Sequence, residues 1–136
     1  MASPRFQLDL QRARTAVVEA ELTHRPSDRF LAAHLAALRV AAIVLVSRSH
    51  PAVAQRRSRP RNAWRVVAEV APEFAEWAAF FAATEAKRDA VRAGAISIVS
   101  AREADDLVRD AQAFLALVER AVSHRVEPGD TRLERG

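Results

Sequence analysis

Four arginines stand within six residues at Arg56, Arg57, Arg59 and Arg61, and Arg48, His50 and Arg65 flank them. Guanidinium groups at that density neutralise phosphates without reading base sequence, which is the chemistry of a nucleic-acid contact. Trp64 follows, where an indole either stacks on a base or anchors a short helix to the core. The same loop suits an acidic protein partner, or pairing with the chain's own acids at Glu73, Glu76, Asp105, Asp106 and Asp110. Such surface pairs are each worth only ~0–1 kcal/mol. Other chemistry is poorly provided for. The histidines at 24, 34, 50 and 124 form no HxH or HExxH pair, so neither a metal site nor any other cofactor site is expected. Zero cysteines exclude disulfides and a thiol nucleophile. Three scattered glycines cannot build a phosphate loop, and Ser47, Ser49, Ser58 and Ser123 lack the context of a catalytic triad.

The charge is localised. Residues 29–68 hold eight arginines and no acid, whereas residues 69–136 hold nine basic residues against thirteen acids. The middle of the chain is therefore a cationic island in a neutral-to-acidic protein of net charge +4. The N-terminal stretch MASPRFQLDLQRAR has no apolar centre of the kind a signal peptide needs. The longest apolar run, Val40 to Val46, is far shorter than the ~20 residues of a membrane span. These features point to a cytoplasmic protein with no membrane association.

The elements that must position these residues are helices. Half of the 136 residues are hydrophobic, alanine is abundant, and only 3 glycines and 6 prolines are present for turns. Three-four spacing predicts a first helix over Pro4–Leu22, capped by Ser3, with Phe6, Leu10, Ala13, Val17 and Ala20 inward. A second helix is predicted over Asp28–Ser47, capped by Ser27, with Leu31, Leu35, Leu38, Ala42 and Leu45 along one side. Its second half is apolar all round, which places it at the centre of a bundle. After a loop over Arg48–Asn62 come a short helix, Ala63–Val70, capped by Asn62, and a fourth from Pro72 to Arg92, ended by Gly94. Ser100 and Glu103 form a capping box for the fifth, Ala101–Ser123, whose seam is Leu107, Ala111, Phe114, Val118 and Ala121. The fold expected is all-α, an antiparallel four- to five-helix bundle. One domain over residues 1–125 is expected, with a disordered polar tail over 126–136.

The segments HLAALRVAAIVLVSR, RRSRPRNAWRVVAEVAPEFAEWAAFFAATEAKR and SAREADDLVRDAQAFLALVE resemble the small stand-alone HEPN-domain proteins of actinobacteria. The resemblance spans Arg29 to Arg120, and its most specific portion is the arginine loop followed by Trp64, Pro72, Trp77 and the Phe80–Phe81 pair. It implies a four- or five-helix bundle that often forms a homodimer. Many HEPN proteins are metal-independent endoribonucleases with an R-x(4–6)-H motif, some of them toxins or stress and defence factors. Others only bind or scaffold. The actinobacterial branch implies association with DNA repair through translesion polymerases.

Carried onto this chain, the motif falls on Arg29 and His34, with Phe30 where the family usually has a polar residue. A histidine titrating near neutrality can move the 2′-hydroxyl proton while an arginine holds the phosphate, so the pair suits RNA cleavage. Five helical residues, however, set Arg29 and His34 roughly 140° apart around the axis. The alternative is a histidine at the core edge, hydrogen-bonded locally, and a solvated arginine in the first turn. Three functions are thus open: an endoribonuclease using Arg29 and His34, a non-catalytic module binding nucleic acid or an acidic partner through the Arg48–Arg65 loop, and a dimerising bundle.

Overall fold

The computed structural model describes residues 4–48 and 60–135, with side chains over 4–48 and 63–123. In chain order the elements are α1 (Pro4–Leu22), α2 (Pro26–Ser47), α3 (Pro60–Val70), a 3₁₀ turn at Pro72–Phe74, α4 (Ala75–Ala83), α5 (Glu85–Arg92), a second 3₁₀ turn at Ile96–Ile98, and α6 (Ala101–Arg135). No strand occurs among the described residues, and the expected all-α bundle is what forms. α2 is its centre: α1 and α6 pack along it most extensively, and α3 and α5 close over it.

The ends of the helices follow local chemistry. The capping box is present as read: Glu103 N–H donates to Ser100 Oγ at 3.0 Å, and Ser100 N–H donates back to Glu103 Oε1 at 3.1 Å. Gly94, at φ 114°, ends α5. Its N–H donates to Val91 O at 3.0 Å and the Ala95 N–H to Ala90 O at 2.9 Å, which satisfies the last carbonyls. Prolines start two helices earlier than the serine and asparagine caps suggested. α2 begins at Pro26 with Arg25 before it, and Ser27 is buried instead of capping. α3 begins at Pro60 rather than after Asn62. A proline in the first turn loses no hydrogen bond, and its fixed φ is already helical. Ser3 lies outside the described residues.

Two further differences concern length. The fourth expected helix is broken at Thr84 into α4 and α5. The last helix continues to Arg135, beyond the end near Ser123 that was expected.

The core is one cluster drawn from every helix. Its largest buried members are Trp64, Phe81 and Phe114, with Trp77 stacked against the latter two. Trp64 stacks on Phe81 with centroids 5.1 Å apart, and Phe74 meets Phe114 edge-on at 5.9 Å. Of the side that the leucines of α2 suggested, Leu45 is fully buried, but most of the inward surface lies elsewhere. Phe30, Ala33, Ala37, Val40, Ala41 and Val44 are buried, whereas Leu35 is 50% exposed. The helix has two apolar faces, and the alanine-rich one lets α1 and α6 approach its backbone closely. By length and mean hydropathy (2.1) α2 is also apolar enough to cross a membrane, although more than half of it is buried inside this bundle.

Candidate functional site

His34 is fully buried, 0% exposed, on the inner side of α2. Its Nε2 lies 3.3 Å from the carbonyl oxygen of Phe81 on α4. A carbonyl only accepts, so Nε2 carries a proton and donates, and the lowered pKa keeps the ring neutral at pH 7. Burial lowers the pKa from 6.5 to about 4, the bond to Phe81 opposes the shift, and Arg88 adds to it. Trp64 meets the imidazole edge-on at 6.4 Å. Nδ1 has no partner. The imidazole is thus a core group, deeper than the edge position expected from sequence.

Arg29 is held elsewhere. Its Nη1 donates to the carbonyls of Thr23 at 2.9 Å and His24 at 2.7 Å, both in the link between α1 and α2. Nε lies 3.0 Å from Asp105 Oδ1 on α6, and Nη2 is 3.5 Å from Ala101 O. Its side chain is 12% exposed, so the solvated first-turn arginine of the sequence reading is corrected to a strap that ties α2 to the α1–α2 link and to the start of α6. Arg29 and His34 share no partner among the described residues. One is occupied with the α1–α2 link and the start of α6, the other with α4.

Arg48 likewise serves the fold. Nη1 donates to Val70 O at 3.1 Å, and both Nη1 and Nη2 engage the Glu73 carboxylate, tying the end of α2 to the end of α3. It is only 16% exposed, which leaves little of it for a phosphate. Arg65, by contrast, stands exposed on α3. Arg56, Arg57 and Arg59 lie outside the described residues, and Arg61 is described by its backbone alone, in the first turn of α3. Of the acids considered as partners for the loop, Glu73 takes Arg48, Asp105 takes Arg29, and Asp106 takes Arg109 on its own helix.

Trp64 is 1% exposed and sandwiched in the aromatic core, so it anchors α3 and offers no face to a base. Arg65 next to it lines a cavity of ≈ 500 Å³ between α3 and α4–α5, with Ala68, Ala75, Ala79, Ala82 and Glu85 among the walls. The sequence reading overlooked this groove. Its signal was available in the three-four spacing of Ala75, Ala79, Ala82 and Ala86, a small-residue stripe on one side of the helix. Glu85, 3% exposed, was also overlooked; Arg88, one turn on, lies 4.0 Å from its carboxylate. Among the described residues no cluster of His, Cys, Asp and Glu is arranged to hold a metal ion.

No curated protein and no solved structure matches the chain. One family model does, that of the SAV_6107-like HEPN family, over residues 20–119. The match takes in the whole of α2, α3, α4 and α5 and most of α6, that is, the elements carrying Arg29, His34, Arg48 and Arg65. This protein belongs to the SAV_6107-like HEPN family and is, at that level, a nucleic-acid-related helical protein.

Proposed function

We propose that this chain is a non-catalytic HEPN module that holds nucleic acid by phosphate contacts from the arginine segment between α2 and α3. The observation that carries the reading is the state of His34. It is sealed in the core with its one proton directed at Phe81 O, so it is unavailable as a base or acid for a 2′-hydroxyl. Arg29, the other half of the motif, is bound to carbonyls and Asp105. What supports binding is charge. Eight arginines without an acid occupy residues 29–68. Exposed Arg65 extends that segment onto α3.

The test combines cleavage and binding. RNA incubated with the wild-type chain in EDTA should remain intact. Single-stranded RNA or DNA should bind at low salt and dissociate steeply as salt rises, because each neutralised phosphate releases counterions. Replacing Arg56, Arg57, Arg59 and Arg61 together by alanine should flatten that dependence without unfolding the bundle. Metal-independent cleavage lost in His34→Ala would overturn the non-catalytic reading. Wild-type protein with no affinity even at low salt would move the arginine segment to an acidic protein partner.

A further inference from the structure

Where α1 lies against α2, three arginines line one recess. Arg5, Asp9 and Arg12 stand on one side of α1, at steps of four and three residues. Arg39, Ala42, Ile43 and Val46 face them from α2 at helical spacing. The recess has a volume of ≈ 220 Å³, with an apolar floor, cationic walls and Asp9 as the one acid of its lining. Three arginines against one acid leave it a net charge of +2.

These arginines differ from their neighbours in not being engaged inside the bundle. Arg14, two residues beyond Arg12, is held by Glu119 of α6, and Arg29 and Arg48 are held by Asp105 and Glu73. Arg5, Arg12 and Arg39 are exposed and have no ion pair or hydrogen bond among the described residues. Like charges gathered around one recess repel each other, and an anion relieves that repulsion. Seven residues part Arg5 from Arg12, about 10 Å along the helix axis. That span exceeds one small anion and suits successive phosphates of a strand, with Arg39 opposite. The apolar floor offers the bases a surface, as in cationic grooves that hold single strands without reading sequence. A single turn of helix fills roughly 400 Å³, so a partner helix does not enter.

Val46 lies two residues before Arg48, where the arginine segment between α2 and α3 begins. We infer that the recess of Arg5, Arg12 and Arg39 is a second phosphate-binding site, through which a single strand held by that segment continues onto α1 and α2. The inference rests on the nucleic-acid reading above. The family match begins at residue 20, so the α1 half of the recess lies outside it.

Titration of fluorescein-labelled oligothymidylate with the full-length chain over a range of salt tests it. Each single-strand phosphate contact adds about 0.7 to the salt slope, so replacing Arg5, Arg12 and Arg39 together by alanine should lower it by about two. The control removes the same charge elsewhere, with alanine at Arg92, Arg102 and Arg109, exposed on α5 and α6. It should leave the slope within about 0.7 of wild type. Asp9→Asn should tighten binding, because it removes the one repelling carboxylate. Phenylglyoxal modification needs no variant: the oligonucleotide should protect Arg5, Arg12 and Arg39 and leave Arg102 reactive. Circular dichroism checks each fold; should the triple variant unfold, the protection pattern decides.

A triple variant with the wild-type slope, beside an Arg56, Arg57, Arg59 and Arg61 variant that loses it, overturns the recess and spares the nucleic-acid reading. A control that lowers the slope equally also overturns it, since charge alone then suffices. Wild type with no affinity for the strand at low salt sinks both. Protection by polyglutamate and not by oligothymidylate would give the recess to an acidic protein segment instead.

Discussion

His34 Nε2 donates to the carbonyl oxygen of Phe81 at 3.3 Å, across 47 residues of sequence. The same oxygen accepts the Thr84 N–H at 3.1 Å and the Thr84 hydroxyl at 2.8 Å. With three donors gathered on it, the Phe81 carbonyl is served by residue 84 in a tight 3₁₀-type turn, and α4 gives way to α5 at that point. A histidine on α2 thus helps to define where a helix fifty residues later breaks.

Because His34 is neutral in the fold, it links stability to acid. The unfolded histidine titrates near 6.5 and the folded one near about 4, so between those values the unfolded chain binds the proton and the folded one does not. Stability therefore falls as pH drops through that window, by about 3 kcal/mol in all. Urea unfolding of wild type and His34→Leu at pH 7 and at the acid end of the window should show a smaller loss in the variant. Equal losses would mean that His34 is not the linked group.

Arg29 should matter to stability more than to chemistry. Arg29→Ala removes hydrogen bonds to two carbonyls of the α1–α2 link together with the Asp105 pair, and should cost about 1–3 kcal/mol in denaturant unfolding. Asp105→Asn should cost less, because the carbonyl contacts survive. A variant as stable as wild type would return Arg29 to a free, ligand-facing role.

Arg48 and Arg65 should separate cleanly. Arg48→Ala breaks the bond to Val70 O and the Glu73 pair and should lower the melting temperature. Arg65→Ala removes an exposed side chain, so the melting temperature should hold while the salt slope of nucleic-acid binding falls by up to about one. The opposite outcome would exchange their assigned roles.

The aromatic core offers a direct check of packing. Phe114 is 0% exposed and contacts Trp64, Phe74, Trp77 and Phe81. Phe114→Ala should destabilise by about 3–5 kcal/mol, through lost burial and the cavity it leaves. At the start of α6, Ser100→Ala should cost ~0.5–2 kcal/mol by removing the bond to the Glu103 N–H. The Glu103 carboxyl is held below its usual pKa, first by its bond to Lys87 and then by the Ser100 N–H, so that cap should weaken as acid protonates it.

Local and periodic information was legible in the chain itself. The Ser100–Glu103 box, the Gly94 stop, the Pro4–Leu22 helix with its buried Leu10–Val17 stripe and the Phe114 seam all depend on residues within one or two turns of each other. The HEPN resemblance rested on the same patterns. Which face of α2 lies inward was not legible, because both faces are apolar, and the choice is made by how closely α1 and α6 can approach. The role of the Arg29–His34 spacing was not legible either. A motif names two side chains, but Thr23 comes from the α1–α2 link, and Ala101, Asp105 and Phe81 from other helices. Only the tertiary structure brings those carbonyls and that carboxylate to the two side chains. In a dry core the protonation and reach of a side chain are set by its nearest neighbours in space, so His34 is a structural donor and Arg29 a strap.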